Sequence, residues 1–256
     1  MNYVREVAHR IFAAELNESS LQVKEECGQY SSKYLLTPTG ARCSRIFLVG
    51  TLIEKEYLGN KSLLWRTRIS DPSGIFYMYA GRNHPEPAKV LEKTALLEYL
   101  AVIGKTSTYT TKSGNVITSI WAESLQVVDE ATRDRWVMDT ASYTITRLLK
   151  LRGNNPDAVM VRDHYSTNID RYSSMVKNAL ITLKTVDNSI IQKIEQILTT
   201  KSRAKDIESN LERELDELDA IDYDELEKEW LLENFMGMQG DYDLMKYYCE
   251  AEAEPI

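Results

Sequence analysis

Apolar and polar residues alternate in five segments of the central part of the chain, and each alternation predicts a β-strand. The predicted strands are residues 44–59, 62–71, 75–81, 96–110 and 115–129. The turn Asp71-Pro72-Ser73-Gly74 joins the second strand to the third, and residues 111–115 form a hairpin tip between the last two. Gly50 lies inside the first strand, where a glycine commonly marks a bulge or bend of a small closed barrel.

A short helix is predicted between the third and fourth strands, because residues 84–94 begin with the prolines typical of a helix start. Five strands with a helix in this place have the order of the OB fold, an oligonucleotide-binding barrel whose second and third strands and flanking loops contact the ligand. We therefore expect a mainly β N-terminal part, with a five-stranded OB-fold barrel over residues 45–129.

Other patterns predict what precedes the barrel. Apolar residues recur at helical spacing in residues 4–16, which predicts a short amphipathic helix containing Val4, Val7, Ala8, Ile11 and Phe12. Residues 17–41 are polar and rich in helix breakers, which indicates an extended lead-in. Residues 1–44 are thus predicted to be an N-terminal helix followed by this lead-in.

The chain after the barrel has the pattern of an all-α region. The first predicted helix starts with acidic residues, ends at Gly153 and has one apolar side, formed by Val137, Ala141, Ile145, Leu148 and Leu149. A second helix has its apolar residues in phase from Ile169 to Leu183. We expect residues 130–186 to form a helical extension whose apolar side is a subunit interface, and residues 187–256 to form an acidic helical region.

Charge is divided unevenly along the chain. Residues 1–203 hold 27 Lys+Arg and 21 Asp+Glu, a balance of +6, whereas residues 204–256 hold 4 and 18, a balance of −14, and the two sum to the net −8. A mildly basic body is compatible with a phosphate-binding surface. Three interpretations of the acidic end stay open: a solubilising helix, a docking segment for a basic partner, and a nucleic-acid mimic that competes for the basic face.

Composition argues against several other classes of protein. Three widely spaced cysteines without a CxxC pair fit a reducing cytoplasm, and three scattered histidines have no metal-ligand spacing. The charged, amphipathic start predicts no signal peptide, and no apolar run is long enough to span a membrane. Phosphate-binding loops, dinucleotide fingerprints, nucleophile elbows and zinc-protease motifs are absent from the sequence. We expect a cytoplasmic protein that is not an enzyme and uses no cofactor or metal.

Strand alternation predicts which side chains of the third strand face outward. Phe76, Met78 and Ala80 form a wholly apolar set that suits a narrow barrel interior, which leaves Tyr77 and Tyr79 outside. Both tyrosines are then either half-buried sheet residues or rings on which bases stack.

In the second strand the same alternation directs Thr67 and Ile69, together with Trp65, inward and places Arg66 and Arg68 outside. Cations that contact phosphates, beside aromatic rings that stack on bases, are what single-strand binding requires. The alternative for the arginines is a solvated face with salt bridges. Further candidates at the rim of this face are Arg82, Lys105, Tyr109 and Lys112.

Two tryptophans are predicted to be structural. Trp121 lies in an alternating strand and Trp136 on a helix that must dock, and large aromatic residues in such places are mostly core residues.

Several segments, in this order, resemble the archaeal replication protein A family: "REVAHRIFAAEL", "TPTGAR", "RIFLVGTLIEKE", "WRTRISDPSGIFYMYAG", "PEPAKVLEK" and "DEATRDRWVMDTA". The resemblance covers roughly residues 1–152 and is strongest to the small OB-fold proteins associated with the large single-stranded-DNA-binding subunit. It implies a barrel that binds single-stranded DNA and a following helix that packs against partner subunits. Several members of the family end in a winged helix, of which residues 187–256 could be a degenerate form without a clear basic wing.

The sequence therefore predicts a single-stranded-DNA-binding or accessory subunit of a replication protein A-like complex, acting in DNA replication, repair and recombination with the large OB-fold subunit as partner. Two alternatives stay open. The barrel could be a protein-interaction module that binds no nucleic acid, which an exposed apolar stripe on the helix after the barrel would favour. It could also be an RNA-binding accessory factor, because single strands of either kind offer bases for stacking.

Overall fold

The computed structural model describes residues 7–27, 30–59, 63–81 and 84–183. The chain divides into two compact units, Met1–Thr200 and Lys201–Ile256, and all described residues belong to the first. The predicted helices beyond residue 183, the acidic region and the proposed winged helix lie outside the described residues.

A closed, five-stranded mixed barrel forms the centre of the described unit. Its strands are β5 (Arg45–Tyr57), β6 (Leu64–Asp71), β7 (Gly74–Gly81), β8 (Tyr99–Thr110) and β9 (Val116–Val128). They are hydrogen-bonded in the order β5-β6-β7-β9-β8, and β5 also pairs with β8, which closes the barrel. Only the β7–β9 pairing among these is parallel. With α2 (Pro85–Lys93) between β7 and β8, this is the predicted OB-like topology.

Gly50 has a different role from the predicted one. The bulge of β5 lies between Leu52 and Glu54, whereas Gly50 lies against Ser70 and Ile69 of β6. A Cβ at position 50 would lie 2.6 Å from the backbone oxygen of Ser70 and 2.8 Å from Cγ2 of Ile69. Only glycine fits this contact without displacement of a neighbouring strand.

Two short helices pack near opposite ends of β7. At the β6–β7 turn, Asp71 accepts hydrogen bonds from the backbone N–H groups of Ala13 (2.8 Å) and Gly74 (2.9 Å), which fixes α1 (Ala13–Asn17) to the turn. At the other end, α2 contacts β6, β7 and β9. Lys55 on β5 donates to the carbonyls of Leu91 (2.8 Å) and Thr94 (2.6 Å), where α2 ends.

The predicted N-terminal helix is only partly correct. His9 and Arg10 form a short strand, β1, which pairs in parallel with Ile46 and Phe47 of β5. Among the described residues the helical turn starts at Ala13, as α1, and residues 4–6 of the predicted helix lie outside the described ranges. Backbone pairing to the barrel edge thus overrides the helical spacing of the apolar residues.

The predicted lead-in is extended but forms a sheet of its own. β2 (Leu21–Cys27), β3 (Tyr30–Leu36) and β4 (Arg42–Cys43) make a three-stranded antiparallel sheet. The prediction missed this sheet because its apolar residues are few.

The sheet and the helices after the barrel share a second core. Leu36 of β3 packs there with residues of α3 (Glu130–Lys150), α4 (Pro156–Tyr165) and α5 (Ile169–Ile181), including Leu148, Val161 and Tyr172. Leu21 and Val23 of β2 pack against the same cluster. α4 was not predicted, although Asn155 caps its start through a 2.8 Å hydrogen bond from the N–H of Ala158 and Pro156 occupies its first position.

The apolar side of α3 is not an exposed subunit interface. Its five predicted interface residues are at most 8% exposed within this chain: Val137, Ala141, Ile145, Leu148 and Leu149. The helix packs against β1, β5, β8 and α5, so the chain itself covers the stripe. Trp136 shows this docking, since its indole N–H donates to the carbonyl of Phe47 (3.0 Å) and its ring meets that of Phe12 edge-on. Its structural role is confirmed.

A buried polar cluster joins α1 and the segment that follows β3 to α3. The carboxylate of Glu15 on α1 has no solvent exposure and accepts hydrogen bonds from the hydroxyls of Thr37 and Thr39, both at 2.6 Å. Arg147 on α3 donates to the other carboxylate oxygen of Glu15 (2.9 Å) and to Thr39 (2.9 Å). Elements distant in sequence are thereby held together.

Candidate nucleic-acid interface

The outward faces of β6 and β7 carry the predicted residues. Phe76, Met78 and Ala80 have no solvent exposure, and Tyr77 on the opposite face is 41% exposed. On β6, Thr67 and Ile69 are fully buried. The predicted orientation of these residues is therefore confirmed, whereas Trp65, also predicted to face inward, is only partly buried.

Strand register places the arginines beside the tyrosines. Arg66 is directly opposite Tyr79, and Arg68 is directly opposite Tyr77. The guanidinium of Arg68 lies over the ring of Tyr77, with its central carbon 5.6 Å from the ring centroid. This is a cation–π contact at a surface site.

Trp121 extends this surface beyond the predicted residues. Because β7 and β9 pair in parallel, Tyr79 is beside Trp121, and their rings stack with centroids 5.2 Å apart at an interplanar angle of 24°. Ile120 and Ala122 on either side of Trp121 point into the barrel and are buried, whereas Trp121 is only partly buried. The core assignment of Trp121 is thus wrong, and alternation along β9 was the signal that would have placed it outside.

One row of side chains consequently crosses the barrel surface. The residues aligned across neighbouring strands are Glu56, Arg66, Tyr79, Trp121 and Lys105, on β5, β6, β7, β9 and β8. Two stacked aromatic rings lie at its centre and a cation follows on each side. From Arg66 to Lys105 the row spans about 14 Å, since adjacent strands are roughly 4.8 Å apart. We call Arg66, Arg68, Tyr77, Tyr79 and Trp121 the aromatic–arginine face.

Acidic residues of β5 accompany both arginines. Glu54 is opposite Arg68 and accepts its hydrogen bond at 2.8 Å, while Glu56 is opposite Arg66 and forms an ion pair with it. The hydrogen bond with Glu54 raises the pKa of the Arg68 guanidinium, and Tyr77 adds to this increase. These salt bridges are the alternative that the sequence left open for the arginines, and each engages one terminal nitrogen of its guanidinium.

The predicted rim residues are distributed along the β8–β9 hairpin. Tyr109 is 65% exposed, and Lys112 is exposed at the hairpin tip. Lys105 is 60% exposed and lies 3.9 Å from Glu123, a carboxylate that also binds Arg45 at 2.5 Å. Arg82 lies outside the described residues. Lys105 therefore belongs to the row next to Trp121, whereas Tyr109 and Lys112 lie further along the hairpin, towards its tip.

Metal-ligand groups and membrane-spanning helices were sought within the described ranges. No group of three or more His, Cys, Asp or Glu side chains there is placed to hold a metal ion. No helix in that part of the chain is long and apolar enough to cross a bilayer. What the described surface offers is stacking area and cationic hydrogen-bond donors.

Known proteins resemble this chain in structure and not in sequence. No family model matches the sequence, and no curated protein matches it. Among solved structures, the chain is similar to the Stn1–Ten1 complex of S. pombe, with 12% identity over 62% of this chain and 100% of that chain and a TM-score of 0.43. It is also similar to a replication protein A heterotrimer bound to ssDNA, with 9% identity, coverages of 56% and 98% and a TM-score of 0.41. Likenesses of this size carry no argument about function, and the fold rests on the strand order described above.

Proposed function

We propose that this chain binds single-stranded DNA on the aromatic–arginine face, as a DNA-binding or accessory subunit of a replication protein A-like complex. The observation that carries the proposal is the row in which stacked Tyr79 and Trp121 lie between Arg66 and Lys105. Every base has a π-face, so such a surface suits single strands of any sequence.

The aromatic rings and the cations beside them favour a single strand over a duplex as the ligand. Aromatic rings at the centre of the row would stack on unpaired bases, which a duplex does not offer from its side. The cations on either side of the rings are placed for the phosphates that flank those bases. Each stacked base is expected to contribute about 1–3 kcal/mol, and the phosphate contacts add a salt-dependent part.

The place in a replication protein A-like complex rests on the resemblance of residues 1–152 to that family. The protein-interaction alternative loses the feature that would have favoured it, because the apolar stripe of α3 is buried in this chain. RNA differs from DNA by its 2′-hydroxyl, so competition by an unlabelled RNA single strand tests experimentally which of the two the chain prefers.

Fluorescence-anisotropy titration of the full chain with labelled oligo-dT, at low and high salt, tests the proposal. We expect binding that weakens as salt increases, and competition by unlabelled single strands but not by duplex. The variant Tyr77→Ala/Tyr79→Ala should bind about 10- to 100-fold more weakly, the equivalent of one or two lost stacking contacts.

Tyr143→Ala is the matched control, since this tyrosine is also exposed but lies on α3, away from the aromatic–arginine face. It should bind as the unsubstituted chain does. Absence of binding at low salt, or equal affinity of the double variant and the control, would refute the proposal.

A further inference from the structure

Glu54 and Glu56 occupy an unexpected place for a surface that binds a polyanion. Each lies directly across the β5–β6 pairing from one outward arginine, Glu54 from Arg68 and Glu56 from Arg66. Both glutamate side chains are 46% exposed. Both outward arginines of the aromatic–arginine face are therefore already paired with a carboxylate at the surface.

The pairing also affects the stacking surface. Arg68 is held by Glu54 while its guanidinium lies over Tyr77. A base that stacks on this side of the Tyr77 ring must move the guanidinium, and the movement changes the hydrogen bond with Glu54. Stacking and ion pairing at this position are thus coupled.

We infer that Glu54 and Glu56 are internal competitors for the phosphates of a bound strand, an inference that rests on the proposed function. In the unliganded protein each carboxylate is paired with one terminal nitrogen of its arginine. When a strand binds, its phosphates replace the carboxylates, and the glutamates turn to solvent. The two glutamates therefore set the affinity of the site below what its arginines and rings would otherwise allow.

These glutamates differ from those of ordinary surface ion pairs in their effect on ligand binding. An exposed pair contributes little to folding, so Glu54→Gln and Glu56→Gln should leave the protein folded. The same weak attraction between glutamate and arginine must be overcome each time a phosphate binds to the arginine. Each substitution should tighten oligonucleotide binding about two- to fivefold, and the double variant by about 4- to 25-fold at low salt.

The salt dependence gives an independent readout. The arginine–glutamate pairs that compete with phosphate are exposed, so salt weakens them. The advantage of the double variant should therefore shrink as salt increases, and its plot of log K against log salt should be slightly steeper, by less than the about 1.4 that two additional phosphate contacts would give.

The test is oligo-dT titration of the full chain, of Glu54→Gln/Glu56→Gln and of the charge-matched control Glu86→Gln/Glu92→Gln, whose substitutions lie on exposed positions of α2. Tighter binding with a steeper slope in the first variant alone would support the inference. Adding Arg66→Ala/Arg68→Ala to that variant should then abolish the gain.

If the unsubstituted chain binds but the glutamate variant binds with equal or lower affinity, the inference is wrong and the proposed function remains. An equal gain in the α2 control would also overturn it, since net charge alone would then explain the effect. If neither the unsubstituted chain nor the glutamate variant binds, the proposed function itself fails.

Discussion

Substitution of Arg147 by methionine tests how the described unit is held together. Arg147 lies on α3, after the barrel, and its partner Glu15 lies on α1, before the barrel. Methionine keeps much of the length of the side chain but removes the charge and the donors. Glu15, with no solvent exposure, would then remain as a buried carboxylate without its cation.

The expected loss follows from what remains around Glu15. Removal of one partner from a buried ion pair commonly costs about 3–5 kcal/mol. Two hydroxyl donors at 2.6 Å, from Thr37 and Thr39, stay with the carboxylate, and the Arg147 side chain is 15% exposed, so some water can replace it. We therefore expect the lower end of that range, about 3 kcal/mol. For a unit of this size that corresponds to a decrease in Tm of about 6–12 °C.

Urea denaturation followed by tryptophan fluorescence measures this loss, because Trp136 is buried between α3 and β5. Arg171→Met is the matched control, since it removes an exposed arginine–glutamate pair, with Glu18, and should cost less than about 1 kcal/mol. Adding Glu15→Gln to Arg147→Met removes the unpaired buried charge and should restore about half of the lost free energy of unfolding, roughly 1.5 kcal/mol.

Equal destabilisation by Arg147→Met and Arg171→Met would show that the buried Glu15–Arg147 pair is no more important for stability than an exposed one. The same conclusion would follow if Glu15→Gln brought no recovery in the Arg147→Met background, because the cost would then come from lost packing and not from an unpaired carboxylate.

Three further predictions concern the barrel and its surface. Trp121→Ala should weaken oligo-dT binding about 10-fold in anisotropy titrations, because it removes one half of the stacked platform, and unchanged affinity would remove Trp121 from the site. Gly50→Ala should lower the free energy of unfolding by about 1–3 kcal/mol in urea titrations, since the added Cβ meets β6. Gly114→Ala is the comparison variant, because the space around its Cβ is open and only its positive φ of 86° opposes the substitution. Lys55→Met should lower it by about 1–2 kcal/mol, because two carbonyls at the end of α2 lose their charged donor, and an unchanged urea midpoint would contradict that role.

Local pattern was sufficient for the barrel itself. The five strands, the turn at Asp71 and the helix at Pro85 were all predicted, because half-buried strands show a period of two and turns need particular residues. The same period placed Tyr77 outside and Phe76 inside. This information is contained in neighbouring residues, so it can be read without knowledge of the fold.

Pairing between distant segments was beyond that local information. Trp121 meets Tyr79 because β9 joins β7 in parallel, and Arg66 and Arg68 meet glutamates because the bulge in β5 sets the register after Leu52. Neither contact is fixed by the residues adjacent to it in the chain. Alternation could state which side a residue faces, but not which residue of another strand it would meet.

Periodicity along the chain was enough to assign the barrel strands and the orientation of most of their side chains. The pairing of the polar lead-in as β2 and β3, and the covering of the apolar side of α3 within the chain, depend instead on contacts between distant segments. An amphipathic face must be buried, but its residues do not specify the partner. The physical reason is that burial free energy depends on apolar area and not on which surface supplies the contact.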